Sequence, residues 1–218
     1  MMAAALAASG TLAMAGACDA CSGSVTPLEP ARAEHPPSGY EGEIARQRAH
    51  KDEFFRADPQ SPLPEPVKGS FKGLDYFPVD FDYRFTGRLA VYSDPRKTTI
   101  AGSRGEQRVA LRWAAFSFVN QGRTHTLQIY KLYDKDAPEG RFFLPFADET
   151  TGRQTYPAGR YVDPEIDAGG RAIVDFNLAY YPYCAYGKDY DCPLTPAENR
   201  LGVPILAGEK GWIAGPAP

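Results

Sequence analysis

Arg108-Val-Ala-Leu-Arg-Trp-Ala-Ala-Phe-Ser-Phe-Val119 and Thr124-His-Thr-Leu-Gln-Ile-Tyr-Lys-Leu-Tyr133 are two β-rich runs separated by Asn120-Gln-Gly-Arg123. Aromatic and β-branched side chains suit a pleated, half-buried surface, and Gly in a short polar connection supplies the backbone freedom a hairpin turn needs. The stretch predicts an antiparallel hairpin. Outward from it the period stays at two: Phe81, Tyr83 and Phe85 alternate with Asp82, Arg84 and Thr86, as in a half-buried strand. Thr98 to Ala101, Arg141 to Phe146, Gly159 to Asp163, Ala172 to Tyr180 and Val203 to Ala207 are further strand candidates, with turns at Thr151-Gly152 and Ala168-Gly169-Gly170. The chain holds 20 Pro and 21 Gly, punctuation expected of short strands rather than a helical bundle. The fold class is mainly β: an antiparallel β-sandwich or a partly open β-barrel. There is no internal repeat and no strand–helix alternation, which disfavours a dinucleotide fold.

One helix precedes the strands. Ser38-x-x-Glu41 has capping-box spacing, Glu41 to Arg56 lacks proline, and Asp58-Pro59 ends it. Ile44, Arg48, Lys51 and Phe55 share one face, a narrow stripe that suits a helix laid over an edge or end of the sheet. Before it, residues 18–40 have the Pro/Gly/Ser-rich composition of a tether, too poor in apolar side chains to join a core. Residues 1–17 carry no charge and read as a signal segment, too short to span a bilayer. Ala15-Gly16-Ala17 before Cys18 resembles a lipoprotein cleavage box, which makes Cys18 the lipid-bearing residue; the same residues also suit ordinary signal cleavage. The expected organisation is signal 1–17, tether 18–40 and a single β-rich domain over 41–218.

The 27 acidic and 24 basic residues give a formal charge of -3 with no long block of either sign, so a nucleic-acid partner is not expected. Membrane attachment is expected only through a lipid on Cys18, and the expected partner is a small molecule or an envelope protein. Gly69-x-x-x-Gly73 lacks the Gly-Lys-Ser/Thr of a phosphate loop, and neither Gly-x-Ser-x-Gly nor His-Glu-x-x-His occurs. No cofactor is indicated.

Chemistry-bearing residues are densest between Asp175 and Lys210. Asp175 and Asn177 sit two residues apart, which on a strand puts both on one face and Phe176 on the other. With Phe176 in the core the pair is surface; on a barrel wall it joins Tyr180, Tyr183 and Tyr186 in a pocket, with Glu209 a further ligand-binding candidate. Cys184 and Cys192 bound a nine-residue stretch. In an exported domain they are candidates for a disulfide worth roughly 2.5 kcal/mol by loop closure. A Cys-ligated metal and a cysteine nucleophile served by His125 are the alternatives; the Cys-x7-Cys spacing is no standard zinc knuckle, so no metal ligands are assigned. Asp148 and Arg160 are candidates for an ion pair. No catalytic residue is assigned: an enzymatic use of Asp175, Asn177, Tyr186 and Glu209, hydrolytic or metal-assisted, needs them to converge.

Lys51-Asp-Glu-Phe-Phe55, Phe71-Lys-Gly-Leu-Asp-Tyr-Phe-Pro78, Leu144-Pro-Phe-Ala-Asp148, Thr155-Tyr-x-Ala-Gly-Arg-Tyr161, Asp175-Phe-Asn177, Cys184-Ala-Tyr186, Glu198-Asn-x-Leu201 and Ala207-Gly-Glu-Lys210 together resemble the bacterial and archaeal family known as domain of unknown function 1684. The resemblance covers about residues 41 to 213. Tyr181 stands where the family's Asn-Pro-x-Cys pattern has Asn. The resemblance brings with it no activity, cofactor or catalytic residue.

Overall fold

A computed structural model describes residues 28–134, 137–187 and 190–211. Two antiparallel sheets face each other, and among the described residues the α-helices precede the second strand in sequence. Strands β1 (Arg32–Ala33), β2 (Arg84–Arg88), β8 (Glu165–Ile166) and β9 (Arg171–Asp175) form one sheet in the order β1-β2-β9-β8. The other runs in sequence order: β3 (Ala90–Ala101), β4 (Gln107–Asn120), β5 (Arg123–Asp134), β6 (Ala137–Phe146) and β7 (Arg160–Val162). The fold is therefore a β-sandwich with an N-terminal helix, α1 (Tyr40–Ala57); a short second helix, α2 (Glu65–Lys68), follows it. The β4–β5 hairpin turns at Gln121 and Gly122, both at positive φ (50° and 72°).

A bulge in β4 decides which side of the larger sheet is buried where. Arg112 pairs with Tyr130 and Ala114 with Ile129, leaving Trp113 as the extra residue. Directly opposed residues share a face, so the inserted residue exchanges the faces along the hairpin. Beyond the bulge Ala114, Phe116, Phe118, Leu127 and Ile129 pack with Phe85, Val174 and Phe176 in the core between the sheets. Before it, Ala110, Tyr130 and Leu132 point the other way and join Ile100, Phe143 and Tyr161 in a second cluster.

Several sequence expectations shift by a few residues. The strand expected from Phe81 begins at Arg84; Phe81–Tyr83 is a 3-10 turn capped by the Asp80 carboxylate, which accepts from Asp82 N at 2.9 Å. Val203 to Ala207 forms no strand; the Ile205 and Ala207 carbonyls accept from the Arg160 side chain, and Val203 O accepts from Glu149 N. The tether reading gives way at its C-terminal end: Ala31 is buried and β1 pairs with β2, since main-chain pairing needs little apolar side chain. Ser38 does not cap α1, because Gly39 takes a left-handed conformation (φ 89°) at the N-cap. The apolar stripe is where it was expected. Ile44 and Phe55 are buried with Arg48 and Lys51 half-buried between them, and Phe55 packs in an aromatic cluster with Phe71, Tyr156, Tyr181 and Tyr186.

Arg160 on β7 is the largest fully buried side chain among the described residues and meets Asp148 as the sequence suggested, with Nη2 2.6 Å from Oδ2. The guanidinium also donates to the carbonyls of Ile205 (2.8 Å), Ala207 and Glu209 (3.2 Å). Asp148 Oδ1 accepts from both the amide and the hydroxyl of Thr150, at 2.6 and 2.5 Å. One ion pair thus ties residues 205–209 to the sheet edge. Breaking a buried pair by removing one partner costs about 3–5 kcal/mol. Arg160→Met should lower the unfolding free energy by about that amount in chemical denaturation, and Asp148→Asn, which keeps a polar partner in place, by less.

Candidate functional site

The segment held by Arg160 carries Glu209 under α1. Gly208 has φ 77°, and a Cβ there would lie 2.6 Å from the Ala179 carbonyl oxygen and 2.7 Å from that of Phe176. Only glycine lets the chain pass this close. Glu209 N then donates to Ala179 O at 2.9 Å, and the Glu209 side chain, 1% exposed, turns inward. Its Oε1 accepts from Lys51 Nζ at 2.6 Å; Oε2 accepts from Tyr181 N at 2.9 Å and from the Tyr186 hydroxyl at 2.5 Å. A buried carboxylate persists because three donors replace its water. Burial, reinforced by the Glu209 charge, pushes the Tyr186 hydroxyl well above its ordinary value, so Tyr186 stays a donor.

Lys51 lines a cleft of about 250 Å³ together with Arg48, Tyr76, Asp163, Asn177, Tyr180 and Glu209. Its ammonium sits 4.9 Å from the Tyr180 ring centroid. The Tyr180 hydroxyl donates to the Asp163 carboxylate at 3.0 and 3.1 Å. Arg48 stacks 4.3 Å over Tyr76 and donates to Phe77 O (3.2 Å) and Asn177 O (3.3 Å), bracing α1 against the loops below. Sequence reasoning placed Arg48 and Lys51 on the inner helix stripe without assigning them to the site; cations at inward positions were the available signal. Nothing in the local pattern distinguishes Tyr76 or Asp163.

The candidates from the sequence separate into two hydrogen-bonding groups, although Asn177 lines the same cleft as Tyr180 and Glu209. β9 ends at Asp175 and Phe176–Leu178 is a 3-10 turn, so Asp175 and Asn177 share no strand face, and both are buried. Asp175 Oδ1 accepts from Asn177 N at 3.0 Å, while Oδ2 accepts from the Tyr40 hydroxyl and lies 3.9 Å from Arg84 Nε. Asn177 clamps the neighbouring loop, accepting from Asp80 N (2.9 Å) and donating to Asp80 O (2.8 Å). Among the described residues no side-chain hydrogen bond joins this network to Glu209 and Tyr186. Tyr183 is exposed against Tyr190, with ring centroids 5.3 Å apart.

Cys184 and Cys192 are free thiols facing each other; Cys184 N donates to Cys192 Sγ at 3.3 Å. The Cys192 thiol hydrogen-bonds to the Cys184 sulfur, which outweighs burial and lowers Cys184 to about 7; the same bond and burial push Cys192 up. The Tyr156 hydroxyl, 3.9 Å away, is a second donor to Cys184. Among the described residues there is no group of three or more His, Cys, Asp or Glu side chains placed to hold a metal ion. Cys18 and residues 1–17 lie outside the described residues.

Fold and site together define a two-sheet antiparallel domain whose C-terminal return carries a buried carboxylate beneath an N-terminal helix. The chain belongs to the family described as Protein of unknown function (DUF1684), whose model matches residues 69–210. A solved relative is the solution NMR structure of the uncharacterized protein from gene locus rrnAC0354 of Haloarcula marismortui. It is 34% identical over 79% of this chain and 94% of that one, with a TM-score of 0.60. No curated protein matches the chain.

Gly208→Ala tests how the site is built. It combines left-handed strain, about 1–2 kcal/mol, with a clash against two carbonyl oxygens, and should cost more than about 2 kcal/mol in denaturant unfolding. Gly152→Ala is the control, because Gly152 has the same φ of 77° with open space where the Cβ would go. It should cost only the strain.

Proposed function

We propose that this chain binds a small polar ligand in the cleft between α1 and the Tyr180–Glu209 layer, as a lipid-anchored domain of the cell envelope. The observation that carries the reading is the Lys51–Glu209 pair at the cleft. Glu209 accepts from three protein donors, whereas Lys51, its side chain 28% exposed, donates one hydrogen bond to protein among the described residues, leaving N–H capacity for a ligand in the cleft it lines. A ligand acceptor would bind Lys51 and a ligand donor would meet Asp163, with the Tyr180 ring between them. Specificity then comes from a few placed polar groups, as in small-molecule sites generally. The volume of about 250 Å³ suits a metabolite rather than a peptide.

Export and the lipid on Cys18 rest on the sequence of residues 1–18. A disulfide between Cys184 and Cys192 in that compartment is part of the proposal, supported by the contact of the Cys184 backbone N–H with Cys192 Sγ at 3.3 Å. An enzymatic use of Asp175, Asn177, Tyr186 and Glu209 together gains nothing from the geometry. Asp175 and Asn177 are occupied in holding loops, although Asn177 also lines the cleft, and Tyr186 lines a neighbouring cavity of about 200 Å³ instead.

The test is titration of the full chain with glycine, acetate, ethanolamine and glucose, followed by amide correlation spectra. At least one probe should shift the amides of Lys51, Tyr180 and Glu209, and Lys51→Met should weaken that response several-fold. Shifts confined to other surfaces, or none at millimolar probe concentrations, would contradict the reading.

A further inference from the structure

The two thiols differ in their surroundings in a way that a structural staple does not require. Cys184 is half-buried and its sulfur receives hydrogen bonds from the Cys192 thiol and the Tyr156 hydroxyl. Cys192 is 8% exposed, and its sulfur accepts from the Cys184 backbone N–H at 3.3 Å. Its own backbone N–H donates to Ser103 Oγ at 3.1 Å, and its carbonyl accepts from Ser103 N at 2.8 Å, so its position is fixed from the β3–β4 turn. A half-buried cysteine whose sulfur meets a hydroxyl donor, beside a more buried cysteine in hydrogen-bond contact with it, has the parts of an exchange site.

We propose that Cys184 and Cys192 form a thiol–disulfide exchange site for low-molecular-weight disulfides, with Cys184 attacking and Cys192 resolving. The Cys184 thiolate attacks one sulfur of the incoming disulfide. That S–S bond breaks, and its electron pair leaves with the departing thiolate, giving a mixed disulfide on Cys184. Cys192 then loses its proton to the departing thiolate, and its sulfur attacks the Cys184 sulfur and expels the second thiolate. The dithiol is oxidised by two electrons and the small disulfide is reduced to two thiols. The backbone N–H of Cys184 is unaffected by modification of its side chain, so it remains to stabilise the Cys192 thiolate in the second step. The inference rests on the thiol geometry alone and is independent of a ligand in the α1 cleft.

The experiment uses the full chain carrying Cys18→Ser and Cys21→Ser, reduced and then mixed with excess dithiodipyridine under native conditions. The inference predicts rapid release of two thiopyridone equivalents per chain and a product two mass units lighter with no adduct. Adding Cys192→Ser should give one equivalent and a stable adduct on Cys184. Adding Cys184→Ser should slow the reaction about tenfold or more, because the remaining thiol is buried and protonated. Cys→Ala versions, which leave no unpartnered hydroxyl, should give the same order. Circular dichroism confirms that each variant is folded. Cys192 reacting as fast as Cys184, two adducts retained on one chain, or no release from the folded protein would each overturn the assignment.

Discussion

A fully buried guanidinium is the constraint on which the other features depend. Arg160 leaves β7 inside the molecule, where an unpaired charge would be prohibitive, and is matched by Asp148 on one side and by three carbonyls of residues 205–209 on the other. Those carbonyls belong to a segment with no strand of its own. Arg160 does for it what a neighbouring strand would do, satisfying backbone acceptors that burial would otherwise leave unpaired. The cation also lies 5.0 Å from the Phe146 ring centroid, which fixes it against the core between the sheets.

From that anchor the site follows by short steps. The return of residues 205–209 passes so close to Ala179 and Phe176 that Gly208 alone fits. The next residue, Glu209, is thereby aimed at Lys51 of α1 and Tyr186 of the aromatic cluster. The helix is held in turn by Arg48 on two loop carbonyls and by the Tyr40 hydroxyl on Asp175. Asp175 and Asn177 therefore contribute to the site as supports: they fix the loops on which the helix rests, and the cleft lies between helix and loops.

The sequence revealed what repeats locally and hid what is assembled at a distance. The β4–β5 hairpin was visible because alternation and turn chemistry lie within one stretch, and α1 because its stripe recurs every three to four residues. The face exchange at Trp113 was not visible, since a bulge is a mismatch between two strands and neither strand shows it alone. Asp175-Phe-Asn177 read as strand because its alternation is genuine, yet Asp175 accepts from Asn177 N and winds the chain into a 3-10 turn. Glu209 and Tyr186 were singled out as chemically capable, and the structure joins them. Lys51, 158 residues from Glu209 in sequence, had no local signature beyond an inward-facing charge. The Asp148–Arg160 pair was within reach because both members flank turns twelve residues apart.

The dependence of the site on the Arg160 anchor is most directly tested by native-state amide hydrogen exchange in Arg160→Met and the unmodified protein. Tyr181 N bonds to the Glu209 side chain and Glu209 N to Ala179 O, whereas Leu127 and Ile129 report on the core of the larger sheet. If Arg160 holds the return, Tyr181 and Glu209 lose protection together in the variant, at a free energy well below that at which Leu127 and Ile129 exchange. If Tyr181 and Glu209 keep a protection equal to that of Leu127 and Ile129, the return is held by other contacts and the central claim is wrong.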